Sequence, residues 1–183
     1  MTTAPDYAEV VRRFRSVAER FCAIVDDRSR LEKSELILQI YRVLPELIAE
    51  AVRLPDVVLN HPDEIDEGEE VATKQRPRLR KSHDGWKILF DSLRAKFGED
   101  DRYREVFNPR EDTEAIFGSL SDDIAGIYGD VAEWFIPLEG DDEKKEAIWH
   151  WRFGFYSHWG HHAIDALRTM HVIVGDPIVI DRP

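Results

Sequence analysis

The segment that decides the fold runs from residue 149 to residue 171 and reads WHWRFGFYSHWGHHAIDALRTMH. Projected at 100° per residue, its apolar and aromatic side chains cover most of a helix circumference. Such a helix must be covered on several sides, so it is normally central to its fold. We therefore predict one long helix over residues 143–172 at the centre of the molecule. Gly154 and Gly160 inside it indicate close approach of a neighbouring helix, or simple tolerance.

Helical spacing also dominates the chain outside this segment. Apolar residues recur at i, i+3, i+4 and i+7 in four further stretches, which are residues 7–25, 34–54, 86–97 and 120–135. Pro45 interrupts the second stretch, so a kink or two abutting helices are expected there. Gly98 closes the third stretch, and Ser119 followed by Asp122 resembles a helix start.

Three segments lack this spacing. Residues 56–82 contain an acidic block at 63–70 and a basic block at 74–81, which predicts a long charged loop. That loop is either simply solvated or a docking segment for a partner. We predict that residues 99–114 are irregular with one short helical turn at most, and the tail, residues 173–183, is compatible with an extended conformation. No alternation is strong enough to predict a sheet.

These patterns predict an all-α protein, in which residues 1–183 form a single domain of about five helices around one core. The 25 basic and 37 acidic residues give a formal charge of −12, which disfavours non-specific binding to nucleic acid or anionic membranes. The single cysteine, Cys22, excludes an internal disulfide and a multi-cysteine metal site. No apolar run approaches the length of a signal peptide core or a membrane span, so we expect a cytoplasmic protein.

One sector of the predicted last helix carries side chains suited to chemistry. The candidate site residues are His158, His161, His162 and Asp165 on this helix, with Asp123 and Asp130 on the preceding one. Spacings of three and four residues place such groups on one helical face. An antiparallel hairpin turning at residues 138–141 would place Asp123 level with Phe155, within two turns of His158. Imidazole and carboxylate ligate divalent metals such as zinc, and the same groups perform acid–base chemistry near neutral pH.

The sequence leaves the function open between two hypotheses. The chain has no Gly-rich phosphate loop, no Gly-x-Ser-x-Gly elbow and no His-Glu-x-x-His motif. The first hypothesis is a non-enzymatic helical adaptor that binds a protein partner through its aromatic and histidine-bearing surface or its charged loop. The second is a metal-binding protein or metal-dependent hydrolase that uses the histidines and aspartates. The histidines would otherwise be structural.

Two segments resemble a known bacterial family. They are WRFGFYSHWGHHAIDAL, residues 151–167, and DDIAGIYGD, residues 122–130. Both are similar to proteins grouped as domain-of-unknown-function family 5063, and the HWGHH run is the most specific part. The segments around Phe21 and Pro45 look similar too, so the resemblance covers most of the chain. It implies an all-helical cytoplasmic protein, and it supplies no catalytic residues.

Overall fold

A computed structural model describes residues 6–59, 83–106, 110–111 and 113–180. These residues contain six α-helices, which are α1 (Tyr7–Asp26), α2 (Lys33–Val52), α3 (His83–Phe97), α4 (Leu120–Ala132), α5 (Asp141–Ser157) and α6 (Trp159–Ile180). They also contain two strands, β1 (Arg102–Glu105) and β2 (Ile116–Ser119), and two short 3₁₀ helices, Asp27–Ser29 and Gly98–Asp101. The predicted all-α class is confirmed. No helix among the described residues is long and apolar enough to cross a membrane.

The first two helices form an antiparallel pair. Asp6 caps α1 by accepting hydrogen bonds from the backbone N–H groups of Ala8 and Glu9 at 3.0 and 3.3 Å. Pro45 lies inside one helix, so the expectation of two abutting helices is wrong. Most of the predicted charged loop, residues 60–82, lies outside the described residues, as do residues 181–183 of the predicted tail.

A small sheet replaces part of the segment predicted to be irregular. Strands β1 and β2 pair antiparallel, with Tyr103 opposite Gly118. The ring of Tyr103 lies across Gly118 so closely that a Cβ there would fall 2.4 Å from the ring. The prediction that no sheet forms was wrong because strands of four residues are too short to show an alternation in sequence.

The predicted long last helix is divided at His158 into α5 and α6, which is why six helices replace the expected five. His158 has φ −150° and ψ −86°, so the backbone leaves the helical conformation there. A Cβ on Gly160 would lie 2.0 Å from the carbonyl oxygen of Phe155, so the break requires glycine at this position. The tail expectation is also wrong, since α6 continues as a helix to Ile180.

The aromatic segment is central, as predicted. Trp151 and Trp159 are almost completely buried, and their rings lie 4.6 and 6.2 Å from the ring of Phe14 on α1. Each indole N–H is satisfied, since Trp151 donates to the carbonyl of Val131 and Trp159 donates to the carbonyl of Trp151. Tyr156, an aromatic residue of the same segment, is 55% exposed because α5 buries the side that carries Trp151.

Candidate functional site

A pocket of about 400 Å³ opens where α3, the β1–β2 hairpin, the start of α4 and the α5–α6 break meet. Its wall is made of aromatic, acidic and imidazole side chains, which are Trp86, Phe90, Glu105, Phe117, Asp122, Asp123, His158, His161, His162 and Asp165 together with Gly118, Ser119 and Ser157. The volume falls at the lower end of the range for small-molecule sites. The pocket collects five of the six predicted site residues, and the sixth, Asp130, contacts one of them.

Two residues of the pocket wall, Asp123 and His162, belong to a hydrogen-bonded row of three side chains that Tyr103 completes. Asp123, only 4% exposed, accepts a hydrogen bond from the hydroxyl of Tyr103 at 2.6 Å. Its other carboxylate oxygen lies 2.8 Å from Nδ1 of His162. An ionised carboxylate can only accept hydrogen bonds, so Nδ1 of His162 carries the proton and Nε2 is left for a ligand. Gly126 gives the imidazole room, because a Cβ there would lie 3.2 Å from its Cδ2.

Burial and hydrogen bonding shift the ionisation of this row. The hydrogen bond to Asp123 raises the pKa of His162 above its ordinary value. Burial raises the pKa of Asp123, while the hydrogen bonds from His162 and Tyr103 act against that rise. Burial, followed by the charge of Asp123, raises the pKa of Tyr103, so this hydroxyl stays a hydrogen-bond donor. The row therefore favours a proton on His162 more strongly than water does.

A second imidazole–carboxylate pair lies beside the first. Nδ1 of His158 is 2.6 Å from a carboxylate oxygen of Asp130 on α4. The two imidazole rings, of His158 and His162, meet edge to face with centroids 4.9 Å apart. His158 is the more exposed histidine, with 57% of its side chain accessible against 24% for His162. The helix break thus places one imidazole at the pocket mouth and one deeper in its wall.

Two carboxyl groups face each other in the same wall. Glu105 on β1 and Asp165 on α6 lie within hydrogen-bonding reach, and burial together with the charge of Asp165 raises the pKa of Glu105 to about 7. Two carboxylates so close cannot both ionise easily, so a proton is shared between them near neutral pH.

The start of α4 is held by two caps. Ser119 accepts a hydrogen bond from the backbone N–H of Asp122, which confirms the predicted helix start. Buried Asp101 accepts from the backbone N–H of Ser121 at 2.8 Å and from the hydroxyl of Ser119 at 3.1 Å. Carboxylates at a helix N-terminus also interact favourably with the macrodipole. These bonds fix the position of Asp123 in the first turn.

Comparison with protein families decides the family membership. Residues 5–176 match the model of the family described as a domain of unknown function, DUF5063. The chain belongs to this family. The crystal structure of protein BF1032 from Bacteroides fragilis is similar to the DUF5063 chain, with a TM-score of 0.69 and 20% identity over 90% of this chain and 92% of that one. At that identity the similarity shows a shared fold. No curated protein matches the chain.

The structure arranges the predicted site residues of this DUF5063 chain in a different register from the one expected. Asp123 meets His162, about two helical turns beyond the expected level of Phe155. The reason is that α4 packs mainly against α6, beyond the break at His158, rather than against α5. His161 lines the pocket, and Asp165 faces Glu105 and lies 3.8 Å from Arg168.

Sequence reasoning missed Tyr103 and Glu105. Both lie on β1, and their alternate positions, separated by Arg104, are the one local signal that could have found them. A strand of four residues is too short for its alternation to predict a strand from sequence. The hairpin brings them to the pocket, so their participation depends on the pairing of β1 with β2.

Four of the six candidate residues form two imidazole–carboxylate pairs rather than one metal cluster. In the residues that the structure describes, no three His, Cys, Asp or Glu side chains are placed to hold a metal ion. His158 and His162 each use Nδ1 on a carboxylate and so offer one nitrogen, Nε2. The arrangement is suited to moving protons between paired groups.

Proposed function

We propose that the pocket binds a small molecule and that His162, oriented by Asp123, exchanges a proton with it. The observation that carries this proposal is the contact of Nδ1 of His162 with a buried carboxylate that Tyr103 also bonds. A carboxylate on Nδ1 holds the imidazole in one tautomer and orientation, and it stabilises the imidazolium form. Nε2 is then the atom that gives or takes the proton.

A second titrating group in the same wall supports acid–base chemistry. Glu105 has a pKa of about 7, so it changes protonation near neutral pH, and the pKa of His162 is raised above its ordinary value. General acid–base catalysis is most effective when the pKa of each group lies near the working pH. A proton donor and a proton acceptor in one pocket are the requirement for hydrolysis, elimination or isomerisation by proton transfer.

The contacts of two serines in the pocket wall and of the one cysteine favour proton transfer over covalent catalysis. The hydroxyl of Ser157 donates to the carbonyl of Phe153 at 2.7 Å, and the hydroxyl of Ser119 caps α4. Cys22 is buried in the core on α1. The Ser157 hydroxyl is thus engaged with a backbone carbonyl and the Ser119 hydroxyl with the helix cap and Asp101, rather than with a histidine of the pocket.

Metal binding is the alternative, and one observation favours it. His158 and His162 lie side by side, each with a carboxylate on Nδ1, which is how many metal-ligating histidines are oriented. Two histidines are fewer ligands than a stable zinc site uses. The adaptor hypothesis, with a protein partner, is a further prediction, but a binding surface has no need of titrating groups in a pocket. A cytoplasmic location remains our prediction.

The proposal is tested on the Asp123→Asn variant. We expect the pKa of His162 to fall to or below its ordinary value of about 6.5, because the asparagine removes the charged acceptor on Nδ1. Two-dimensional ¹H–¹⁵N NMR of the imidazole nitrogens, followed against pH, measures this pKa and the tautomer. Asp142→Asn is the matched control, since it removes the same charge from an exposed position at the start of α5, outside the pocket wall.

The functional consequence is measured with ligands. A fragment screen by NMR should identify compounds that shift the signals of His162. If the protein converts one of these compounds, His162→Gln should slow that turnover by about 100-fold or more. Asp123→Asn should reduce turnover as well, whereas Asp142→Asn, outside the pocket, should not. Turnover that is unchanged in both His162→Gln and Asp123→Asn would contradict the proposal.

Metal analysis distinguishes proton transfer by His162 from metal binding. Untagged protein purified without chelator should contain well under one equivalent of transition metal by mass spectrometry if His162 acts on protons alone. His158→Ala/His162→Ala should then contain the same small amount, and His150→Ala/His171→Ala serves as the matched control. Near-stoichiometric metal that only the first double variant loses would establish the metal site instead.

A further inference from the structure

One wall of the pocket is aromatic. Trp86 and Phe90 on α3 stack with centroids 5.0 Å apart and ring planes at 17°. Phe117 on β2 is 60% exposed and carries two guanidinium groups, those of Arg102 at 4.4 Å and Arg104 at 5.1 Å from its centre. Aromatic faces bind cations through their quadrupole, most strongly for tryptophan. Trp86 and Phe90 provide the rest of the aromatic surface of the pocket wall, and no arginine of the described residues lies on either ring.

The other side of the pocket is acidic. Glu105, Asp122 and Asp165 line it in addition to hydrogen-bonded Asp123, and the described residues of the wall include no lysine and no arginine. Arg168, outside that wall, approaches Asp165 to 3.8 Å, which is longer than a hydrogen bond and leaves its charge only partly compensated. Even with His162 protonated, acidic side chains outnumber basic ones among the described residues that line the wall. An anionic ligand would be repelled here, whereas a cation would be attracted.

We propose that the pocket takes an organic cation, an ammonium or amidinium group carried on a short apolar or aromatic body. This inference rests on the proposed function, because the cation would be the small molecule on which His162 acts. The charged group lies against Glu105 and Asp165, where it relieves the repulsion between the two carboxyl groups. The body of the ligand packs on Trp86 and Phe90, and a volume of about 400 Å³ accommodates one small ring with its substituent.

Three probes that share one ring test the charge preference. Benzylamine, benzyl alcohol and benzoate are titrated into the protein near neutral pH at low salt, and backbone ¹H–¹⁵N shifts measure each dissociation constant and its location. We expect benzylamine to bind at least about tenfold more tightly than benzyl alcohol, and benzoate to bind least. The shifts should centre on Trp86 and Glu105.

Variants assign the preference to named residues. Glu105→Gln/Asp165→Asn should weaken benzylamine by about tenfold or more and leave benzyl alcohol unchanged. Asp141→Asn/Asp142→Asn is the matched control, because it removes two exposed acids from the start of α5. Trp86→Ala should weaken both benzylamine and benzyl alcohol.

The outcomes are separable from those of the proposed function. Benzoate binding as tightly as benzylamine, benzylamine shifts centred away from the pocket, or no saturable benzylamine binding below about 10 mM would each overturn the cation inference. The wild type could bind benzylamine in the pocket while His162→Gln leaves the turnover of every ligand unchanged. That result would support the cation site and contradict the proton-transfer proposal.

Discussion

The carboxylate of Asp123 organises the site at the scale of single residues. It bonds Tyr103 with one oxygen and His162 with the other, and it is buried between them. Gly118 permits this arrangement, since only glycine lets the ring of Tyr103 lie across β2. Glu105, on the same strand, meets Asp165 at the pocket wall. Tyr103 and Glu105, two residues apart on β1, therefore contact the carboxyl groups of Asp123 and Asp165 respectively.

Glu105 makes the stability depend on pH in a definite direction. Its pKa is about 7 in the folded chain and near 4.5 when unfolded, so the folded state binds the proton more tightly. The contribution of this group to the free energy of unfolding is complete below about pH 4.5 and is lost as the pH rises through about 7. His162, whose pKa is also raised, acts with the same sign and loses its contribution as the pH rises through its folded pKa.

We expect the melting temperature of the wild type to fall between about pH 5 and pH 8, and Glu105→Gln to flatten that fall because it cannot titrate. Thermal unfolding followed by circular dichroism over this range measures the effect. Glu114→Gln, at an exposed position, is the control and should follow the wild type. Parallel curves for wild type and Glu105→Gln would show that the facing carboxyl groups do not share a proton.

At the scale of elements, the α5–α6 break is the feature that creates the pocket mouth. A continuous helix would carry His158 and His162 on one straight face, whereas the break turns α6 so that both pair with acids of α4. The break is stabilised by the indole of Trp159, which donates to the carbonyl of Trp151. Gly160 is required because the carbonyl of Phe155 lies where its Cβ would be.

Two glycine substitutions therefore have opposite effects. Gly160→Ala should destabilise the fold by about 1–3 kcal/mol or more, since the alanine must displace backbone. Gly129→Ala in α4 should stabilise it by about 0.5–1 kcal/mol, because a Cβ there meets nothing within 4 Å and alanine favours the helix. Urea unfolding of both variants gives the comparison. A neutral or stabilising Gly160→Ala would mean that the α5–α6 break is not tightly packed.

At the scale of the whole molecule, the site lies at the edge of one continuous core. Buried side chains of all six helices form a single cluster, with Phe14 and the two central tryptophans joining α1 to α5 and α6. Helix α4 packs against both α3 and α6, so it carries the site acids between the aromatic wall and the histidines. Exposed ion pairs such as Arg20–Glu46 contribute little stability individually. The rigid core is what holds the polar groups of the pocket in place.

The sequence by itself determined the helical class, the positions of α1 to α4, the cap at Ser119 and the central place of the aromatic segment. These features depend on apolar periodicity and on capping residues within a few positions of each other, which are local properties. Helical spacing also placed His158 and His162 on one face. Gly98, predicted to close α3, has φ +61°, the left-handed conformation that glycine accommodates.

Only the tertiary structure decided the break at His158, the hairpin and the partners of the histidines. The break depends on Trp159 reaching the carbonyl of Trp151 and on a close contact between Gly160 and Phe155, and neither leaves a mark on periodicity. The contacts of Asp123 join residues 20 and 39 positions away, so they follow from how helices and strands pack rather than from any local pattern.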